Sequence, residues 1–250
     1  MIVDTHAHFI EKYYSNLTDL LNSYKGLKVI NCGTNLADNQ EILNLCQNHT
    51  NLFGSLGIHP QNAEEWSEKS REFILKHAQN KKIVAIGEIG LDYTYDVNRD
   101  LQKKIFEEQL KIAKNLQKPV IIHSREAFTD TYEILAKYPE IPKVLHCFAY
   151  GFQEAKQFLE INCLFGVNGI VTFKKSLLLQ DFVKKIDLKY ILVETDSPYL
   201  TPEPHRGKKN DSRKIDYVIA KIAELKGLKT KEIIDQTTLN AERIFDLNNN

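Results

Sequence analysis

Asp4, His6 and His8 stand in the pattern Asp-x-His-x-His directly after the apolar pair Ile2-Val3. Alternate side chains of a β-strand share a face, so a strand here predicts all three groups along one side, aiming two imidazoles and a carboxylate into one cavity. Neutral imidazole nitrogens one residue apart are a recurrent way to hold Zn²⁺, Mn²⁺ or a similar ion. The competing reading is a strand end whose histidines face water. A lone His would favour that; His-x-His behind an Asp favours the metal. Such a site needs further ligands, and His59, Glu88, His123, His146 and Asp196 each follow an apolar, β-branched run.

Those runs alternate with amphipathic segments along the whole chain. Strands are predicted at Ile2–Val3, Lys28–Cys32, Leu52–Gly57, Ile83–Ile86, Pro119–His123, Val144–His146, Leu164–Val167 and Ile191–Glu194. Helical patterns fall near Leu17–Tyr24, Asp38–Asn48, Glu64–Gln79, Asn98–Leu116, Ala127–Lys137, Gly151–Glu160 and Lys175–Lys185. The tail is helical from Arg213, broken by Gly227 and closed by Asn240–Phe245. Leu101, Ile105, Leu110, Ile112, Ala113 and Leu116 give the longest pattern one buried face. Strand and helix in alternation predict an α/β chain forming a (β/α)8 TIM barrel over residues 1–250, with an open doubly wound sheet as the competitor. The reactive residues favour the barrel. They cluster at the C-terminal ends of strands, which converge on one mouth in a closed barrel but would lie too far apart in an open sheet. No Gly-x-Gly-x-x-Gly follows a strand in a dinucleotide-binding context. Only Asn248–Asn250 reads as frayed.

Composition narrows the function classes. With 42% hydrophobic and 26% charged residues the chain has ample core for a soluble globular protein. A formal net charge of +0 argues against a protein that coats duplex nucleic acid, though not against an enzyme that grips a strand end. The four cysteines form no CxxC pair, which predicts a reduced, cytoplasmic setting. The N-terminus lacks a basic n-region and is not expected to be a signal peptide. No apolar run reaches the ~18 residues a membrane span needs, and no obligate protein partner is evident.

Taken together, Asp4–His8, Gly87-Glu88-Ile-Gly-Leu-Asp92, Pro119–Arg125, His146-Cys-Phe148 and Glu194-Thr-Asp196-Ser-Pro-Tyr199 resemble the TatD-type deoxyribonucleases, metal-dependent hydrolases of the amidohydrolase superfamily. Gly57-Ile-His59-Pro60, Gly169–Lys175, Pro204-His-Arg-Gly207 and Asn240–Phe245 extend the likeness, so that it runs from Met1 to Phe245. Two departures stand out: Ala149-Tyr150 where the family usually has Ser-Gly, and Asn210-Asp-Ser where it usually has Asn-Glu-Pro.

The resemblance implies a binuclear site at the C-terminal mouth: His6, His8 and Asp196 on one divalent ion, His123 and His146 on the other, Glu88 bridging both. Mixed nitrogen and oxygen donors suit Zn, Mn, Co or Ni, and Mg less comfortably. Taken alone, Asp196 could equally cap a helix, and Glu88 could be a solvated loop acid. Asp4 is expected to orient a metal histidine, His59 to donate a hydrogen bond or meet phosphate, and Cys147 to pack away from the site. Arg125 and Arg206, with Lys174 and Lys208 behind them, are candidate phosphate contacts. Tyr93, Phe148 and Tyr199 are candidates to stack bases or, equally, to roof the barrel. The implied activity is 3′–5′ exonuclease-like hydrolysis of single-stranded or frayed DNA ends, with Asp196 and Glu88 as catalytic residues. The alternative is a metal-dependent ester or amide hydrolase, such as an aminoacyl-tRNA deacylase; a non-enzymatic metal- or nucleic-acid-binding protein is the third reading.

Overall fold

The β-branched runs become the parallel strands β1 (Ile2–Ala7), β2 (Leu27–Cys32), β3 (Leu52–Leu56), β4 (Ile83–Asp92), β5 (Val120–Arg125), β6 (Lys143–Leu145), β7 (Cys163–Val167) and β8 (Ile191–Val193). A computed structural model describing residues 1–247 pairs these eight in sequence order. The Asn248–Asn250 tail lies outside the described residues. Beyond its last strand the chain returns to its first: the Asp196 N–H donates to His6 O at 2.9 Å and the His8 N–H to Ser197 O at 2.6 Å. Ala7 and Ser197 form a parallel bridge, and Thr5 Oγ1 donates to Val193 O at 3.1 Å. The sheet is therefore a nearly closed (β/α)8 TIM barrel, and the open-sheet alternative falls.

The connections are helical: α1 (Leu17–Asn22), α2 (Leu36–Asn48), α3 (Glu68–His77), α4 (Arg99–Leu116), α5 (Phe128–Ala136), α6 (Phe152–Glu160), α7 (Leu177–Lys185), then α8 (Ile215–Lys226) and α9 (Thr230–Phe245). One expectation shifts. The pattern over Glu64–Gln79 is a 3-10 turn at Pro60–Glu65 followed by α3, because Ser67 and Ser70 cap each other's backbone and start the helix anew. Asn98 caps α4, its Oδ1 accepting from Leu101 N at 3.0 Å.

Strand alternation builds two apolar layers. Val3, Ile30, Phe53, Val84, Ile121 and Val144 fill the barrel interior with Leu164 and Leu192, and Phe245 of α9 closes that end. Their neighbours on the strands, such as Val29, Leu52 and Ile83, pack outward with the helices. An apolar floor leaves the opposite end for polar groups. No helix among the described residues is long and apolar enough to cross a membrane.

Where strands end, backbone groups lose their ladder partners and must find others. Buried side-chain amides supply them. Asn31 accepts from Phe9 N at 2.7 Å and donates to Phe9 O at 2.9 Å. Asn39 does the same for Gly57 at 3.2 and 3.0 Å, and Gln102 for Asp92 at 2.9 and 3.0 Å. Gln109 of α4 clamps Ile58, next to His59, at 2.7 and 3.0 Å. Gln109→Leu would orphan both Ile58 groups at a cost of about 2–4 kcal/mol. The expected outcome is a Tm lower by roughly 4–15 °C, read by calorimetry; an unchanged Tm would show that the clamp carries no stability.

Candidate metal centre

β1 delivers His6 and His8 to the mouth, their Nε2 atoms 3.1 Å apart. Asp4 does not join them. The register against β2 shifts between Asp4 and Ala7, which breaks the simple alternation expected from spacing. Asp4 instead accepts hydrogen bonds from Thr195 N at 2.9 Å, Thr195 Oγ1 at 2.6 Å and Ser212 Oγ at 2.5 Å. It fastens β1 to the segment carrying Asp196 and touches no histidine ring, so it is not the ring-orienting group the sequence suggested. Burial raises its carboxyl to about 6.

β4 runs ten residues and carries Glu88 into the centre of the mouth. Two glycines let it pass so close to β5. A Cβ on Gly87 would lie 2.8 Å from Ile121 Cβ, and one on Gly90, at φ +141, would lie 2.0 Å from His123 O. The two oxygens of Glu88 face different groups. Oε2 lies 3.4 Å from His6 Nε2 and 3.5 Å from His8 Nε2. Asp196 Oδ1 completes that side, 3.7 and 3.4 Å from the same nitrogens. Oε1 lies 3.0 Å from His123 Nδ1 and 2.8 Å from His146 Nε2, which are 3.1 Å from each other.

These spacings suit cations. Donor atoms ~2.1 Å from one ion lie ~3.0–3.4 Å apart, depending on coordination geometry. Mixed imidazole nitrogen and carboxylate oxygen is a donor set for divalent ions. Asp196 begins no helix; the next helical turn is Ser212–Lys214, so the capping reading falls. Its backbone is left-handed at φ +55, a conformation uncommon for a residue with a side chain and often found at functional sites.

The far nitrogen of each ring sets which one faces inward. His8 Nδ1 lies 2.9 Å from Cys32 O, a carbonyl that can only accept, so Nδ1 carries hydrogen and Nε2 presents a lone pair. His123 is turned the other way: Nε2 lies 2.8 Å from Asp92 Oδ2, freeing Nδ1. His59 is the exception. Its Nδ1 accepts from Gln61 N at 3.1 Å, so in the neutral ring Nε2 carries hydrogen and points at Glu88 Oε1, 3.4 Å away. Although His59, Glu88 and His123 lie close enough to share an ion, this tautomer makes His59 a donor to the carboxylate, not a ligand. The Nδ1 atoms of His6 and His146 are buried without hydrogen-bond partners; the two rings stack at 3.8 Å.

The electrostatics follow. Burial pushes Glu88 up, but His146, His59, His6 and the bond to His123 outweigh it and hold the carboxyl well below its usual range. Burial lowers His6 to about 4, with His146 adding to the effect, and His59 to about 3. Burial also opposes charge on His8 and His123, but Asp196 and Glu88 lift the first to about 9, and Asp92 and Glu88 lift the second to about 9. A cation would take the place of those protons.

Two supporting acids went unassigned in the sequence. Asp92 lies four residues beyond Glu88 on the same strand, hence on the same face, and that spacing was the available signal. Glu194, raised well above its usual value by burial and by Asp196, accepts from Cys147 N at 2.6 Å and Asn168 Nδ2 at 3.2 Å. It shapes the turn after His146, whose Nδ1 is 3.8 Å away.

A cavity of about 510 Å³ opens over these groups, lined by His8, His59, Glu88, His123, His146, Asp196, Arg125 and Tyr199, with Tyr13, Tyr95 and Cys147 among the rest. Cys147 thus borders the mouth instead of packing away from it, because its left-handed backbone (φ +45) turns the strand end. Phe148 is core, wedged against Phe165 and Phe182 at 4.7 and 4.6 Å. Tyr93 donates to Asp130 and lies under Arg99, outside the cavity. Tyr95, two residues on, is the tyrosine that reaches the mouth. Arg206 lies over the Phe173 ring at 4.4 Å, beyond the cavity wall.

The family model for TatD related DNase matches residues 3–246. The chain is 34% identical over 255 residues to the uncharacterized metal-dependent hydrolase YabD of Bacillus subtilis, covering 99% of this chain and 100% of that protein. It is 32% identical over 223 residues to the 3′-5′ ssDNA/RNA exonuclease TatD of Citrobacter rodentium, covering 86% and 85%. The crystal structure of YjjV, a TatD homolog from Escherichia coli, superposes with a TM-score of 0.92 at 29% identity over 98% of each chain.

Asp92→Ala removes the acceptor that frees His123 Nδ1. Loss of such a partner typically weakens metal binding 10–100-fold, and that is the outcome expected here from calorimetric Mn²⁺ titration. Wild-type affinity in the folded variant would show that His123 needs no such support.

Proposed function

The chain belongs to the TatD-related DNase family of metal-dependent hydrolases, and from that premise we propose that it is a nuclease that trims single-stranded or frayed DNA from 3′ ends. His6, His8 and Asp196 would hold one divalent ion, His123 and His146 a second, and Glu88 both. One observation carries the reading: the two oxygens of Glu88 face separate pairs of imidazole nitrogens, at 3.4 and 3.5 Å on one side and 3.0 and 2.8 Å on the other. The donor set admits Zn, Mn, Mg, Co or Ni. The four free cysteines are consistent with a reduced, cytoplasmic setting.

When bound, such ions supply Lewis acidity and acidify water. The chain's own groups do the rest. Asp196, ionised and 3.4 Å from His8, borders the mouth and is placed to accept a proton from an attacking water. His59, donating from Nε2, keeps Glu88 oriented. Arg125 is exposed at the rim, where a guanidinium meets a phosphate oxygen. The printed name of the Citrobacter relative supports a nucleic-acid substrate.

Asp196→Asn keeps one ligating oxygen but cannot take the proton. It is expected to retain metal while turnover on a 3′-overhanging or single-stranded oligonucleotide falls 10²–10⁴-fold. Wild type is expected to bind two ions per chain, measured by equilibrium dialysis with elemental analysis, and Glu88→Ala to lose both. Saturation at one ion, or normal turnover in Asp196→Asn, would refute the assignment. A metal-reconstituted panel of single-stranded DNA, duplex DNA, RNA and carboxylic esters tests the substrate; hydrolysis of the esters alone would establish the acyl-hydrolase alternative.

A further inference from the structure

The rim of the mouth is electrically lopsided. Past β7, Lys174 and Lys175 follow the turn Gly169–Thr172, and the loop 205–209 presents Arg206, Lys208 and Lys209, all exposed. The two stretches are joined: Arg206 covers the Phe173 ring at 4.4 Å, and Glu203 N donates to Thr172 Oγ1 at 2.9 Å. The loop is also tied to the mouth. Asn210 Nδ2 donates to Tyr199 O at 2.7 Å, and Lys209 Nζ donates to Tyr13 O. Among the described residues no carboxylate lies within 4.0 Å of these five cationic groups. Of the acids flanking the loop in sequence, Asp211 is taken up by Arg213 and Lys214 at 2.8 and 2.7 Å, and Glu203 is half-buried. Across the mouth, beside Tyr95, Arg99 and Arg125 stand among Asp96, Asp100 and Glu126. That side has no positive excess.

An aromatic pair meets the loop on one side and His8 on the other. Tyr199 donates to the Tyr13 hydroxyl at 2.9 Å, with the rings 5.9 Å apart and inclined at 72°. The Tyr199 ring lies 6.2 Å from that of His8, yet the residue is 49% exposed. A ring held by its neighbour and open to solvent offers a face to an unpaired base.

We propose that the loop 205–209, with Lys174 and Lys175, is a track for single-stranded nucleic acid, which reaches the metal centre across the Tyr13–Tyr199 pair. The inference rests on the nuclease reading and identifies how the strand beyond the scissile bond is held. Flexible lysines neutralise phosphates without reading sequence, and stacking on Tyr199 demands an unpaired base, so duplex is gripped by charge alone.

The test is fluorescence anisotropy with the Mn²⁺-loaded full chain and a hydrolysis-resistant, fluorescein-labelled phosphorothioate (dT)12. Lys174→Ser/Lys175→Ser/Lys208→Ser removes three exposed charges that have no side-chain ion pair or hydrogen bond among the described residues. Its Kd at 50 mM NaCl is expected to rise about 10-fold or more, and the log–log salt slope to become shallower by about 2, from ~0.7 per lost phosphate contact. A control triple, Lys25→Ser/Lys76→Ser/Lys81→Ser, removes equal charge near the opposite end of the barrel and is expected to change Kd less than twofold. Equal weakening by both triples, an unchanged slope, or no (dT)12 binding by wild type would overturn the track. So would displacement by poly-glutamate as effective as by unlabelled (dT)12. Strap-dependent binding with no cleavage of any nucleic acid would leave the track standing and remove the nuclease reading. Cleavage with strap-independent binding would do the reverse.

Discussion

An ionised carboxylate buried at the heart of a barrel is the constraint on which this structure turns. Glu88 is 3% exposed, and a charge so placed costs several kcal/mol unless other groups compensate it. Compensation comes through five imidazoles, His6, His8, His59, His123 and His146, each with a ring nitrogen within 3.5 Å of a Glu88 oxygen. His59 donates its Nε2–H, and His8 and His123 hold protons there until a cation replaces them. The five rings come from β1, β5 and the segments just past β1, β3 and β6, so only a closed barrel assembles them. Closure thus answers an electrostatic need as well as burying the apolar interior.

The same centre depends on a surrounding ring of groups that decide orientation. Cys32 O and Asp92 turn the lone pairs of His8 and His123 inward, while Gln61 N turns that of His59 outward. Equivalent residue types therefore take opposite roles. Behind them the amide clamps of Asn31, Asn39, Gln102 and Gln109 hold the backbone where ladder bonds have run out. α4 contributes two of the four, with Gln102 supporting Asp92 and Gln109 supporting the residue before His59. A helix on the outside of the barrel is in this way mechanically tied to the tautomers inside it.

The barrel and the inward-facing ligand candidates were legible because both depend on period: two along a strand, with reactive residues at the C-terminal ends of successive strands. Misreadings arose where period fails. A register shift in β1 sent Asp4 toward Thr195 and Ser212, although the spacing 4, 6, 8 promised one face. A left-handed residue at Cys147 put that side chain at the mouth and Phe148 in the core. Past the end of β4, Tyr93 and Tyr95 differ by two residues yet only Tyr95 lines the cavity, since a turn has no alternation to extrapolate. Asp92 is the contrasting case. It shares β4 and a phase with Glu88, but the strand expected over Ile83–Ile86 ends before both, so only the extended strand shows the pairing.

Net charge illustrates a different limit. A total of +0 says that a distant polyanion feels little attraction, which weighs against a protein that coats long duplex. Yet fields decay over about 8–10 Å at ordinary ionic strength, so a strand end at the mouth responds to the charges around that mouth and not to the sum. Acids elsewhere, such as Glu68, Glu108, Asp181 and Asp235, are paired locally with Arg71, Lys111, Lys185 and Lys231. They neutralise their own partners and leave the strap between Lys174 and Lys209 unscreened. A neutral chain can therefore be weakly attractive at long range and strongly directional at contact, which suits a protein that engages an end and not the length of a duplex.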